Sequence, residues 1–359
     1  MITASGAVPV AALDPESPDA GVVAHYGDPM REQRTLATSV GLVDRSHRGV
    51  LALPGEDRLG WLHSLTTQHL TDLPAMTGTE LLVLSPHGHV EHHAAVTDDG
   101  ATTWLDVEAG QARPLLDFLM RMRFLMRVEP ADVSADFSLL SLVGPDTDEA
   151  LTALGVGPLL SPDAVAVPGP KFAAGSVPSR PTVQYSAASL PDLGGWVRRM
   201  PYGADLLVRR GTEADLVEVA GVPVAGTWAF EALRVADRRP RFGFETDHRT
   251  LPAEVGWTAP AVHLEKGCYR GQETVARVHH LGRPPRRLVL LHLDGITTEE
   301  LPAHGTAVTT PEGRQVGFIG TAARHFELGM IALALVRQNV PDDAELRVGE
   351  AAAAIDPGV

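Results

Sequence analysis

The chain has 359 residues, of which 44% are hydrophobic and 21% are charged. This balance predicts a folded protein large enough for more than one domain, and it excludes a disordered, collagenous or coiled-coil chain. The formal net charge of −15 argues against direct binding of nucleic acid or of an anionic membrane surface.

The number of cysteines and the length of the apolar runs exclude further classes of protein. The single cysteine cannot form an internal disulfide, and one thiol is too few for an intrinsic iron-sulfur cluster. No apolar run reaches the roughly 18 residues that a membrane span needs. The first residues lack the basic region of a signal peptide, so we expect a cytoplasmic protein with a flexible N-terminal tail over residues 1–24.

Periodicity before residue 240 predicts antiparallel strands mixed with helices. The first predicted elements are a strand over 42–53, a helix starting near Glu56, strands over 81–84, 90–96 and 102–107, and a helix over about 112–128. A strand over 137–143, a helix over 147–154, loops with short strands over 155–193, a strand over 205–209 and helices over 213–220 and 227–237 follow. Because strands and helices do not alternate regularly, we expect an α+β fold.

The double proline Pro284-Pro285 marks a domain boundary. Beyond it the sequence predicts five short strands, over 287–293, 306–310, 315–322, 330–336 and 344–348. Their close spacing predicts a small β-barrel or sandwich.

Residues 234–287 form a cationic window in an acidic chain. The window carries 11 Lys and Arg residues against six Asp and Glu residues, a net charge of +5. Such a patch suits a small anionic ligand with carboxylates or phosphates. The alternative is a set of arginines that are solvated or paired with those six acids.

The segment Lys266–Glu273, read KGCYRGQE, is the richest local set of reactive groups. Its two glycines allow a sharp turn around Cys268, and Lys266 and Arg270 are available to anions. We expect a loop opening onto a pocket. Neighbouring cations would activate the Cys268 thiol, whereas a buried and inert thiol is the alternative.

Histidines crowd the hairpin that contains residues 87–93. On a strand His89 and His93 share one face with Glu91, and His92 points to the opposite face. Two imidazoles and a carboxylate could bind zinc, but hairpin histidines are more often surface or core residues, so no metal is predicted. The chain also lacks the Rossmann, P-loop and GxSxG motifs, which leaves no signal for those classes.

The KGCYRGQE segment resembles the YgfZ-type folate-binding proteins, which are relatives of the glycine-cleavage T-protein, an aminomethyltransferase. Other segments resemble that family as well, over roughly residues 25–350: Leu233-Arg234-Val235, Pro240–Gly243, Leu251–Glu254, Ser141–Pro145, Gly317–Gly320 and Gly329–Leu333. The resemblance implies a T-protein-like ring of three subdomains around a central channel that binds tetrahydrofolate. It further implies two interleaved subdomains over 25–283 and a β-barrel over 284–359.

For function, the resemblance implies a tetrahydrofolate-binding accessory protein that supports assembly or repair of iron-sulfur clusters, and so indirectly the iron-sulfur enzymes that modify transfer RNA. Its partners would be folate and iron-sulfur proteins or their assembly machinery. Cys268 becomes a candidate reactive thiol. The folate-binding candidates are Lys266, Gly267, Tyr269, Gly271, Gln272, Glu273, Arg277 and Arg241.

Departures from the T-protein pattern keep two alternatives open. His92 and His93 fall where the T-protein has paired aspartates, so His93 is a candidate proton acceptor. Pro201 and Phe230 fall near a pterin-holding glutamate and an arginine of the T-protein, and Ala236 replaces a further glutamate. The alternatives are a folate-dependent aminomethyl transferase and a non-catalytic scaffold that has lost folate.

Overall fold

A computed structural model describes residues 2, 4–160, 183–297 and 300–357. The chain forms two compact units, each built from several chain segments. The first unit comprises Met1–Leu84, His92–Ala229 and Ala259–Arg270, and the second comprises Ser85–Glu91, Phe230–Thr258 and Gly271–Val359. Among the described residues, no helix is both long and apolar enough to cross a membrane.

Strands dominate the first unit. They are β1 (Val8–Pro9), β2 (Val23–His25), β3 (Gly41–Asp44), β4 (Gly49–Pro54), β5 (Thr77–Leu84), β6 (Val90–Asp98), β7 (Thr102–Val107), β8 (Ala131–Asp132), β9 (Phe137–Val143), β10 (Tyr185–Leu190), β11 (Gly195–Met200), β12 (Gly203–Arg209) and β13 (Val224–Ala225). The helices are α1 (Val10–Leu13), α2 (Pro29–Thr38), α3 (Arg58–Leu65), α4 (Ala112–Met122), α5 (Thr147–Ala153) and α6 (Glu213–Ala220). Two further helices, α7 (Thr227–Ala236) and α8 (Thr258–Ala261), span the chain positions at which the units change.

One sheet of eleven strands organises the first unit, in the order β13-β3-β9-β12-β11-β10-β5-β6-β7-β4-β8. Helices α3 and α4 cover part of it, because Leu62, Leu115 and Leu119 pack with the strand residues Val83 and Leu105. Helices α5 and α6 pack on β9 and β12 through a second apolar cluster. Several polar side chains on the central strands, among them Ser141, Arg198 and Asp205, are buried.

A closed barrel forms the main part of the second unit. Helix α9 (Gln272–Leu281) precedes the strands β14 (Arg286–Leu293), β15 (Ala307–Thr309), β16 (Gln315–His325), β17 (Gly329–Arg337), β18 (Leu346–Val348) and β19 (Ala351–Ile355). Strand β14 closes the barrel by pairing with both β17 and β19. Ala232 and Val235 of α7 pack with Leu290 and Leu333 of the barrel strands.

The predicted α+β class and the C-terminal barrel are confirmed, and several predicted boundaries differ. The strand predicted over 42–53 is two strands, β3 and β4, because Asp44 Oδ1 accepts a hydrogen bond from Ser46 N at 2.9 Å and turns the chain. The helix predicted to reach residue 128 ends at Met122, because Phe124 adopts a left-handed φ of 45°. Helix α2 was not predicted, although Asp28 caps it ahead of Pro29 at its first position.

The sequence also predicts a flexible N-terminal tail over residues 1–24 and two sets of domain limits. Within residues 1–24, β1 pairs with β2, and Val10 and Val22 are buried. The flexibility of this tail stays a prediction, as do the limits 25–283 and 284–359. Part of the loop region predicted over 155–193 lies outside the described residues.

Gly320 on β16 offers a test of packing in the second unit. A Cβ there would lie 2.6 Å from Oε1 of Glu245, a wholly buried carboxylate whose Oε2 accepts a hydrogen bond from the Arg241 backbone at 2.7 Å. We expect Gly320→Ala to lower the free energy of unfolding by about 1–3 kcal/mol, because the fixed carboxylate cannot move aside. Urea denaturation would measure this. Gly60→Ala in α3 is the control, since its Cβ meets nothing within 4 Å and should leave stability unchanged or slightly higher.

Candidate functional site

Three neighbouring strands of the first unit bring together a carboxylate, an imidazole and a phenol. Glu80 lies on β5, His93 on β6 and Tyr185 on β10. His93 Nε2 lies 2.8 Å from Glu80 Oε2, and Tyr185 Oη donates a hydrogen bond to Glu80 Oε1 at 2.5 Å. The side chains of Glu80 and His93 are each 14% exposed, whereas Tyr185 is buried. We call these three residues the Glu80 cluster.

Protonation in the Glu80 cluster follows from its hydrogen bonds. Burial opposes ionisation of Glu80, but the bonds from His93 and Tyr185, with the charge of Arg198, hold the pKa of its carboxyl below the usual value. Burial and the adjacent Glu80 charge raise the pKa of the Tyr185 phenol. At neutral pH the cluster therefore presents a carboxylate held between a neutral phenol and an imidazole.

A fully buried arginine lies behind this cluster on β11. Arg198 pairs with Asp106 Oδ1 at 2.8 Å and with Asp205 Oδ2 at 2.9 Å, and its side chain has no exposed surface. Asp205 Oδ1 also accepts hydrogen bonds from Ser141 Oγ at 2.6 Å and Tyr202 Oη at 2.7 Å. Burial of Asp205 is offset by Arg45 and Arg198, which lower the pKa of its carboxyl. These bonds fix β9, β11 and β12 together in the sheet.

His92 points away from His93, as the alternation of a strand predicts. Its ring lies 6.1 Å from that of Phe118 on α4. Burial, with the charge of Arg121, lowers the pKa of His92 to about 4. His92 is therefore neutral at physiological pH and belongs to the core side of the strand. Among the described residues, no group of three or more His, Cys, Asp or Glu side chains has the arrangement of a metal site.

We call Lys266–Glu273, together with Arg277, the signature segment. Lys266 of this segment is buried against the backbone of the first unit. Its Nζ donates hydrogen bonds to the carbonyl oxygens of Thr66 at 2.6 Å and Gln68 at 2.9 Å, and also to that of His63. Burial lowers the pKa of the Lys266 ammonium to about 7. The side chain thus satisfies carbonyls at and beyond the last turn of α3, where a cation also complements the helix dipole.

The residues after Lys266 differ in exposure. Gly267, Cys268 and Arg270 are exposed, so the alternative of a buried thiol is excluded. Tyr269 is buried, and burial raises the pKa of its phenol. The ring of Tyr269 lies 5.5 Å from Lys266 Nζ. Lys266 and Tyr269 therefore anchor the segment, and the thiol faces solvent.

The other signature residues lie in the second unit, on a helix rather than in the expected loop. Gln272, Glu273 and Arg277 belong to α9, which starts after Gly271. Gly271 has a φ of 82°, and a Cβ there would lie 2.7 Å from the Cα of Gly88, so only glycine allows this approach. Arg277 and Glu273 are exposed on the helix.

Most arginines of the cationic window are held in ion pairs. Arg241, a predicted folate contact, pairs with Glu231 at 3.1 Å and lies 4.1 Å from the ring centre of Phe244. Further pairs join Arg234 to Glu231 and Glu245, Arg238 to Asp356, Arg239 to Asp237, Arg286 to Asp247 and Glu254, and Arg287 to Asp342. Arg234, Arg239 and Arg286 therefore pair with acids inside the window, as the paired alternative states, whereas the acids that pair with Arg238, Arg241 and Arg287 lie outside it.

Sequence reasoning missed Glu80, Tyr185, Arg198 and Asp205. The available signal was a charged or phenolic residue within or beside an apolar run, as in TELLVL for Glu80 and GADLLV for Asp205. Such a residue, if buried, must be paired. Its partner lies on another strand, which spacing along the chain does not identify.

Comparisons with known proteins support a T-protein relationship. Residues 26–165 match the family model described as the GCVT N-terminal domain. A protein of Arabidopsis thaliana, named as a chloroplastic transferase, is 26% identical over 326 residues, which cover 87% of this chain and 69% of that protein. The aminomethyltransferase of Moorella thermoacetica is 27% identical over 331 residues, covering 87% of this chain and 82% of the other.

A solved structure supports the T-protein relationship at the level of the fold. The glycine cleavage system aminomethyltransferase T from Bartonella henselae matches with a TM-score of 0.72 at 17% sequence identity. The match covers 92% of this chain and 88% of that chain. The predicted T-protein-like fold is thereby confirmed, and the Glu80 and His93 positions lie inside the segment that matches the GCVT domain.

Proposed function

We propose that this chain, which has the T-protein fold and a segment matching the GCVT N-terminal domain, binds tetrahydrofolate at the Glu80 cluster. The observation that supports this proposal is the ionised Glu80 carboxylate, which lies between His93 Nε2 and Tyr185 Oη. The charge of the buried Arg198 further stabilises this carboxylate. A pterin ring offers N–H donors beside a carbonyl, and a fixed carboxylate flanked by an imidazole and a phenol complements such an edge. The aminomethyltransferase names of its relatives support a folate ligand.

Calorimetric titration with tetrahydrofolate tests the site. We expect His93→Asn to weaken binding about tenfold, because it removes one hydrogen bond to the charged carboxylate that orients the ligand. His87→Asn is the matched control, since His87 is an exposed residue in the turn of the same hairpin. Equal affinity of the two variants would remove His93 from the proposed site.

The proposed role is that of an accessory protein for assembly or repair of iron-sulfur clusters, as the YgfZ-type resemblance implies. Exposure of Cys268 supports a thiol that reaches a protein partner. Folate contacts from the signature residues, Lys266 and Arg277 among them, remain part of this proposal. For Lys266 this contact would require its ammonium to exchange at least one backbone carbonyl for the ligand.

Cells that lack the chromosomal copy of this chain, complemented with Cys268→Ser, test the role of the thiol. We expect the activities of cluster-dependent enzymes to fall several-fold, since serine keeps the size of the side chain but not the nucleophilic sulfur. Tetrahydrofolate affinity of the purified variant should stay at the wild-type value. Full complementation by Cys268→Ser would contradict a reactive thiol.

A second candidate is a folate-dependent one-carbon transferase. The imidazole of His93, oriented by Glu80, favours it because such a dyad can accept a proton. Formation of methylene-tetrahydrofolate from a methylamine donor, lost in His93→Asn, would establish it. If no tetrahydrofolate binds at all, the scaffold alternative replaces both folate functions.

A further inference from the structure

Three histidines lie in contact near the end of α3 in the first unit. The ring centres of His63 and His69 are 4.7 Å apart, and those of His69 and His263 are 5.2 Å apart. His263 is fully buried, and His63 and His69 are half-buried. The buried ammonium of Lys266 donates a hydrogen bond to the carbonyl of His63. We call these four residues the basic cluster.

The basic cluster joins two distant parts of the chain. Residues 63–70 contain the end of α3 and the loop after it, and residues 259–270 contact them within the same compact unit. His263 N donates a hydrogen bond to the carbonyl of Thr67 at 2.9 Å, and Thr67 Oγ1 donates one to the carbonyl of Ala261 at 2.6 Å. We call residues 259–270 the docked segment.

One ring nitrogen of His63 makes a hydrogen bond that only the neutral imidazole allows. Leu70 N donates to His63 Nδ1 at 3.3 Å, so Nδ1 is the acceptor and carries no proton. Leu70 is fully buried in the apolar core of the first unit. A proton on Nδ1 would place two donors against each other and leave the buried N–H of Leu70 without its acceptor, which is costly.

The surroundings of His63 also oppose its protonation. Burial lowers the pKa of His63 to about 4, and the charge of Lys266 is the next cause. His69 and His263 act in the same direction. Asp72 acts in the opposite direction, but its side chain is 59% exposed, so solvent screens its charge. Protonation of His63 therefore adds a positive charge to a cluster that already holds an ammonium.

We propose that protonation of His63 releases the docked segment from the end of α3, which makes this region an acid-sensitive latch. A proton taken from solvent turns Nδ1 from an acceptor into a donor, so the bond from Leu70 breaks and the loop after α3 moves. The three carbonyls of this region that hold the Lys266 ammonium move with it. The latch is independent of the proposed function, because no ligand takes part in it.

Hydrogen exchange measured by mass spectrometry tests the latch, with each rate divided by the intrinsic rate at the same pH. The pKa of His63 is 6.5 without these contacts and about 4 with them, so the docked state binds fewer protons and loses stability as pH falls. This difference predicts about tenfold more opening at pH 5.5 than at pH 7.5. We expect protection of the docked segment to fall by at least that factor in the wild type.

The variant His63→Asn separates the latch from other effects of pH. Asparagine offers an acceptor oxygen but gains no charge, so the loss of protection in the docked segment should be about tenfold smaller. His87→Asn, at an exposed position of the first hairpin, is the control and should behave like the wild type. Equal losses in the wild type and His63→Asn would overturn the proposal, as would unchanged protection in the wild type. An equal loss in β9 would also overturn it, because the whole unit would then be unfolding.

Nitrogen NMR of the wild-type protein tests the hydrogen bond without any substitution. At pH 7.5 we expect His63 to carry its proton on Nε2 and to leave Nδ1 bare. The Nδ1 signal should report protonation over the same pH range in which the docked segment loses protection. A proton on Nδ1 at pH 7.5 would contradict the latch.

Discussion

Replacing Arg198 with methionine is expected to lower the free energy of unfolding by about 3–5 kcal/mol, because Asp106 and Asp205 stay buried and each loses the closer of its two cationic partners. Asp106 and Asp205 are each at most 3% exposed and pair with Arg198 within 2.9 Å. Methionine keeps much of the side-chain volume, so the loss reports charge rather than a cavity. Urea denaturation at neutral pH would measure the effect.

Arg113→Met on α4 is the control for this change. Arg113 also pairs with an aspartate, Asp117 at 2.9 Å, but both side chains are exposed, at 78% and 46%. Exposed pairs contribute little, so this variant should lose at most about 0.5 kcal/mol. Similar losses in the two variants would show that the buried network contributes no more than a surface pair.

Replacing Lys266 with methionine is expected to destabilise the first unit by about 2–4 kcal/mol at pH 7, because three backbone carbonyls lose their donor. The loss should grow with pH. Burial lowers the pKa of Lys266 from 10.5 to about 7, so between these values the unfolded chain binds more protons than the folded chain. Lys266 therefore adds stability as pH rises through this window.

The pH dependence separates this role from simple packing. Between pH 7 and pH 9 the difference in unfolding free energy between wild type and Lys266→Met should widen by about 2 kcal/mol. Urea denaturation at both pH values measures it, and other titrating groups cancel because they are common to both proteins. A difference that stays constant with pH would place the pKa of the folded Lys266 outside this window.

The sequence predicted best those helices and strands whose ends are marked by residues inside or directly next to the element itself. The bounds of β9 and α6 match the predicted 137–143 and 213–220, because Gly144-Pro145 ends the apolar run of β9 and acidic residues occupy the first turn of α6. Five of the six barrel strands were predicted from short strand-like runs at close spacing. The end of α4 was not predicted, because the positive φ of Phe124 leaves no mark in the apolar periodicity.

The candidate site was harder to predict because its members come from separate strands. Glu80 and Tyr185 are 105 residues apart in sequence, and Arg198 meets Asp106 only because the sheet joins β7 and β11 through β10, β5 and β6. The signature segment was identified from its residues, but the inward direction of Lys266 depends on the end of α3. Neighbouring Cys268 is exposed to solvent, as are Arg270, Glu273 and Arg277.

The most direct test of the central claim is the thermal unfolding of wild type and Glu80→Gln at increasing tetrahydrofolate concentration. A ligand that binds only the folded state stabilises it by about 2.7 kcal/mol at one hundred times its dissociation constant. We expect the unfolding temperature of the wild type to rise by several degrees and that of Glu80→Gln to stay near its ligand-free value. An equal rise in both proteins would place folate away from the Glu80 cluster, and no rise in the wild type would contradict folate binding itself.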